Sequence, residues 1–172
     1  YNYGLDEIPA AYMPHGMAYP QRYVIDPSII GTPEADKARD ACKVGAVDLS
    51  MTEQTQTLNV GAVIWATGWK PYDAALIQPY GYGRFANVVT SLEFERLCNA
   101  AGPTTGKIVL RDGVTEPKRV AVIHCVGSRD TRHHEYCSAV CCMSALKFGH
   151  LILEKTKAEV WSFYIDMRPL HK

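Results

Sequence analysis

Apolar and polar positions alternate along the chain in a way that predicts a mixed α/β fold. Residues 1–33 are rich in proline and aromatics and read as extended segments and turns, with a strand over Arg22–Ile25. Glu34–Lys43 has helical composition, with Pro33 at its start and Gly45 beyond its end. Val47–Leu49 and Gln56–Asn59 alternate as short half-buried strands do, and Val60–Ala66 is a nearly continuous apolar run of the kind that forms a buried strand. Ser91 is the expected N-cap of a helix running through Leu92, Phe94, Leu97 and Cys98, and Lys107–Leu110 is a small strand. The clearest unit comes last. A buried strand at Arg119–Ile123 is followed by a loop to about Tyr136, a helix from about Ser138 to Lys155 and a strand at Glu159–Ile165. Strand, helix and strand in that order start a parallel βαβ unit.

Composition narrows the class without naming a function. The chain has 172 residues, 47% hydrophobic and 21% charged, with a formal net charge of zero. Such a chain can bury a core. It carries no broad field that would draw it to nucleic acid or to an anionic membrane. No apolar run approaches a membrane span, and Tyr1–Pro9 lacks the pattern of a signal peptide, so a cytoplasmic protein is expected. A start at Tyr1 without methionine, and an end just after a strand, suggest a fragment of something larger.

The candidate chemistry lies in the cysteines. There are six, and Cys125, Cys137, Cys141 and Cys142 crowd together. Adjacent cysteines are poor disulfide partners, so a reduced, metal-binding set fits better. Cys125 follows the strand, at the end where open α/β sheets place their ligands. Cys137 is expected at the helix entrance, with Cys141 one turn on and Cys142 rotated about 100° from it. Soft thiolates favour an iron–sulfur cluster or zinc, and the spacing lacks the two close pairs usual in structural zinc sites. His133 and His134 read as a solvated loop, while Cys42 and Cys98 read as packed thiols.

Two stretches sharpen this picture: Val122-Ile123-His124-Cys125-Val126-Gly127-Ser128-Arg129-Asp130, and Tyr136-Cys137-Ser138-Ala139-Val140-Cys141-Cys142-Met143. Together they resemble the signature of the heterodisulfide reductase A subunits. Tyr23–Asp26, Ala66–Trp69, Tyr80–Arg84 and Val89–Arg96 extend the resemblance over most of the chain.

The resemblance implies a thioredoxin-reductase-like FAD/NAD(P)-binding Rossmann architecture. Residues 1–116 would close the FAD-binding domain, with a degenerate ferredoxin-like insertion near 27–47 that keeps only Cys42. Residues 117–172 would start a second Rossmann-like βαβ unit. It also implies a [4Fe–4S] cluster on Cys125, Cys137, Cys141 and Cys142, FAD near Ala66, Thr67 and Gly68, and Lys147 beside the flavin. The expected role is electron transfer in a heterodisulfide-reductase-like complex of sulfur metabolism, working with other subunits and as a homodimer, with sulfur oxidation the favoured setting. A stand-alone NAD(P)H-dependent flavin oxidoreductase and a zinc-stabilised scaffold are the alternatives. The glycine-rich pyrophosphate loop is not among these residues. Cysteines occupy the start of the second unit's helix, so NAD(P)H is not expected to bind there.

Overall fold

The computed structural model describes residues 2–169. They divide into two compact units, one of residues 7–67 and one of residues 2–6 with 68–169.

In the smaller unit, β1 (Ala11–Tyr12) pairs antiparallel with β2 (Val24–Ile25), so only the end of the expected strand at 22–25 forms a ladder. Helix α1 (Pro33–Ala41) starts at its proline, as anticipated, with Glu34 and Asp36 in the first turn, where the helix dipole favours negative charge. The strands expected at 47–49, 56–59 and 60–66 do not form. Residues 51–67 have no regular structure, and Val63, Ile64 and Trp65 stand 64%, 90% and 84% exposed. A strand is held by its neighbours' backbones, and β1–β2 is the sole ladder among this unit's described residues. Apolar composition alone could not supply a partner.

In the larger unit, helix α2 spans Ser91–Cys98. Its N-cap is Thr90, one residue before the expected Ser91. The Thr90 hydroxyl accepts from the Glu93 amide, and the Glu93 carboxylate accepts from the Thr90 amide at 2.6 Å, a capping box. Strand β3 (Arg119–Ile123) and strand β4 (Glu159–Phe163) pair in parallel, Arg119 with Glu159 through Ile123 with Phe163. Helix α3 (Cys141–Lys155) connects them, so the βαβ unit is present. Period-two alternation sends Val120, Val122 and Val160 to one face, where they pack with Ile108, Ile152 and Ala158. Val120 and Val122 remain half-buried rather than buried, because only one face of the ladder is covered.

Along α3, Cys142, Phe148 and Ile152 form the buried stripe, and the Phe148 ring meets Phe94 of α2 edge-on at 5.2 Å. The Lys155 ammonium donates to the carbonyls of Cys98 and Gly106, tying the end of α3 to the segment after α2. Lys107–Leu110 forms no strand, yet Ile108 is core. Among the described residues no helix is long and apolar enough to cross a membrane.

Candidate metal centre

The ladder ends at His124, whose amide donates to the Phe163 carbonyl. The chain then turns sharply, because Cys125 adopts a left-handed conformation with φ of 57°. Arg129 and Ala139 do the same at 58° and 60°. Each such non-glycine residue costs on the order of 1–2 kcal/mol, so the surroundings must hold it there.

They do so through a tight loop. The amides of Ser128, Arg129, Asp130 and His134 donate to the carbonyls of Cys125, Tyr136, His134 and Gly127. The Arg129 guanidinium pairs with Asp166 beyond β4, and Arg132 pairs with Asp130. Tyr72 closes the loop from outside. Its hydroxyl lies 2.7 Å from His133 Nδ1, and its ring lies across buried Gly127. His133 is therefore half-buried and bonded, not solvated as expected.

Helix α3 begins at Cys141, later than the expected Ser138. The left-handed Ala139 and the irregular Val140 cannot continue a helix backward, so Cys137 lies off the helix rather than at its entrance. The structure sets Cys141 beside Cys125 on one side and Cys142 on the other, and the thiols perturb one another's acidity. Burial, then the neighbouring Cys141, pushes the Cys125 thiol up. Burial also pushes Cys141 up, but bonds from Ser138, Cys125 and Cys142 outweigh it and leave Cys141 more acidic than an ordinary cysteine. Two further N–H groups point at sulfur: Ala139 donates to Cys137 Sγ at 3.4 Å and Arg168 to Cys142 Sγ at 3.3 Å.

Among the described residues no three His, Cys, Asp or Glu side chains converge on one ion. A tetrahedral zinc needs such convergence. In a cluster each thiolate binds a different iron, so the sulfurs surround a volume instead of meeting at a point. Thiols paired as Cys125–Cys141 and Cys141–Cys142, with N–H donors on the sulfurs of Cys137 and Cys142, are soft donors of the kind a cluster takes. An open cleft of about 620 Å³ adjoins the site, lined by Cys125, His124, Ser128, Arg129 and the end of β4.

The other sequence-derived candidates lie elsewhere. Lys147 is on the exposed side of α3, 3.5 Å from Glu95 of α2. Ala66, Thr67 and Gly68 lie in irregular, exposed chain, with Gly68 left-handed at φ of 72°. Cys42 is half-buried, its sulfur accepting from the Ala46 amide at 3.3 Å, so it is not the buried thiol expected. Cys98 does pack against the core, and burial raises its pKa. Sequence reasoning missed Tyr72. Its only signal was an aromatic after a Lys-Pro turn, which does not reveal a partner sixty residues away.

No protein-family model matches the chain. It is 39% identical over 170 residues to the A subunit of the ferredoxin/F(420)H(2)-dependent CoB-CoM heterodisulfide reductase of Methanosarcina acetivorans, a match covering 97% of this chain and 21% of that protein. It is 41% identical over 171 residues to the A subunit of the H(2):CoB-CoM heterodisulfide,ferredoxin reductase of Methanothermobacter thermautotrophicus, covering 98% and 26%. It is 38% identical over 174 residues to the iron-sulfur A subunit of the CoB--CoM heterodisulfide reductase of Methanocaldococcus jannaschii, covering 100% and 26%. The chain thus spans between a fifth and about a quarter of the length of these relatives.

Proposed function

The chain is related over nearly its whole length to a segment of the heterodisulfide reductase A subunit, and from that relationship we propose that it is a flavin- and iron–sulfur-bearing electron-transfer part of a heterodisulfide-reductase-like oxidoreductase. Cys125, Cys137, Cys141 and Cys142 hold a [4Fe–4S] cluster. The observation that carries this reading is the approach of Cys125, just after β3, to Cys141 at the start of α3, where Cys142 adjoins it. The ladder anchors the first thiol and the helix anchors the other two. The positive end of α3 and the amides of Ala139 and Arg168 stabilise negative charge on sulfur.

FAD is placed against Ala66, Thr67 and Gly68, and this part rests on the sequence resemblance. Lys147 is assigned to the flavin edge, where its ammonium favours added negative charge. Its ion pair with Glu95 is exposed and weak, so little holds the side chain in its present place. When bound, FAD exchanges two electrons and the cluster exchanges one at a time. Disulfide chemistry is assigned to a partner subunit, because Cys125 and Cys141 are committed to the cluster. The setting we favour is a cytoplasmic complex of sulfur oxidation, with this polypeptide as a homodimer.

The test is a visible spectrum with iron, sulfide and zinc analysis on protein purified without oxygen. About four irons and four sulfides per chain, with flavin bands, are expected for this cluster type. A colourless protein with one zinc would defeat the electron-transfer reading and make the site a structural clamp.

A further inference from the structure

Among the described residues one buried side-chain nitrogen or oxygen lacks a hydrogen-bond partner, His124 Nδ1. The residue is 7% exposed, so bulk water does not serve this atom. Leaving a buried polar group unpaired costs about 1–3 kcal/mol, and such orphans call for an explanation.

The position of His124 suggests one. It directly follows β3, whose alternation places it on the face of Val120 and Val122, the face that packs against Ile152 of α3. Ser162 lies on that same face, opposite Val122, and its hydroxyl is 2.9 Å from His124 Nε2. The next residue is Cys125, in contact with Cys141 at the start of α3. The orphan nitrogen therefore sits where the covered face of the sheet meets the thiol site. With Ser162 donating to Nε2 the ring carries its proton on Nδ1, and thiolates and sulfides are acceptors for such a donor.

We propose that His124 is a hydrogen-bond donor to the iron–sulfur group of this site, giving its Nδ1–H to a cluster sulfur or a coordinating thiolate, with Ser162 holding the tautomer by donating to Nε2. The inference rests on the cluster reading above and extends it to a residue that is not a ligand. Hydrogen bonds to cluster sulfurs stabilise the more negative, reduced form, so His124 raises the cluster potential.

The experiment is a redox titration followed by electron paramagnetic resonance, on the full polypeptide purified without oxygen, with iron and sulfide measured on each sample. Glutamine places its amide near the Nε2 position and asparagine near the Nδ1 position, which separates the two ring nitrogens. His124→Gln is expected to keep its iron and sulfide and to shift the midpoint potential downward. His124→Asn is expected to stay closer to the parent. A His124→Gln protein with the parent potential and spectrum overturns the proposal, and so does a His124→Asn protein shifted as far as His124→Gln. If the histidine variants lose the cluster, Ser162→Ala decides, since it leaves the ring in place. A downward shift supports the assignment and an unchanged potential overturns it. Parent protein without iron and sulfide would instead sink the cluster reading itself, and this inference with it.

Discussion

Gly127→Ala is the sharpest structural test of the cysteine loop. The glycine has φ of 77°, where alanine costs about 1–2 kcal/mol. A Cβ there would press into Tyr72 Cδ1 and stand 2.5 Å from Cε1 and Cγ, far inside van der Waals contact. The ring must leave, and with it goes the 2.7 Å bond to His133, worth about 1 kcal/mol. With some strain from displacing the ring, the total is about 3 kcal/mol. That weakens local protection roughly a hundredfold. Native-state hydrogen exchange at the amides of Arg129 and His134, which close the loop, reads this locally. Tyr72→Ala supplies the control. In its background the steric part vanishes, and Gly127→Ala should cost only the dihedral part. An equal cost with and without the Tyr72 ring would refute the idea that this ring bolts the loop shut.

Three other predictions are more direct. Cys141→Ser should cut iron and sulfide content to a small residue, and full content would remove Cys141 from the ligand set. Lys147→Ala should alter the flavin potential more than the cluster content, while changing stability by no more than about 0.5 kcal/mol, because the pair with Glu95 is exposed; an unchanged flavin potential would end its proposed role. The Asp112 carboxyl is held below its ordinary 3.8 by hydrogen bonds from the Thr115 side chain and backbone and from the Val114 amide. A depressed folded-state pKa gives stability that is present above the unfolded value and lost as pH falls through the folded one. The protection factor of the Val114 amide, its exchange rate corrected for the intrinsic pH dependence, should therefore hold steady above about pH 4 and fall only below it, and a loss of protection beginning near neutrality would contradict that linkage.

Legibility in the sequence followed how local the determining physics was. Helix α1, β3 and the parallel β3–α3–β4 unit were readable because periodicity and a proline start act within one element. The start of α3 was not, because a left-handed Ala139 has no clear signal in residue type. The sequence pointed to Ser91 as the N-cap of α2, whereas the oxygen that reaches the Glu93 amide is that of Thr90. The apolar run at 60–66 carried every compositional mark of a strand and is exposed, since a ladder depends on a second backbone that composition does not reveal. The nearness of Cys125 to Cys141 follows from a strand, a loop and a helix start read in the sequence, whereas Tyr72 and Ser162 reach their partners only through the folded chain.

The amide that reaches Cys142 from Arg168 sets an order of events during synthesis. Ribosomes deliver all four thiols before the stretch that completes β4 and its exit. Until then β3 has no strand to pair with, and parallel pairing across a whole helix is a slow, non-local step. During that interval Cys142 lacks the amide that later covers its sulfur, and an exposed thiolate is open to oxidation toward sulfenic acid. A chain cut between α3 and β4 would lose Ala158 and Val160 from the core, the partner of β3 and the amide on Cys142 together.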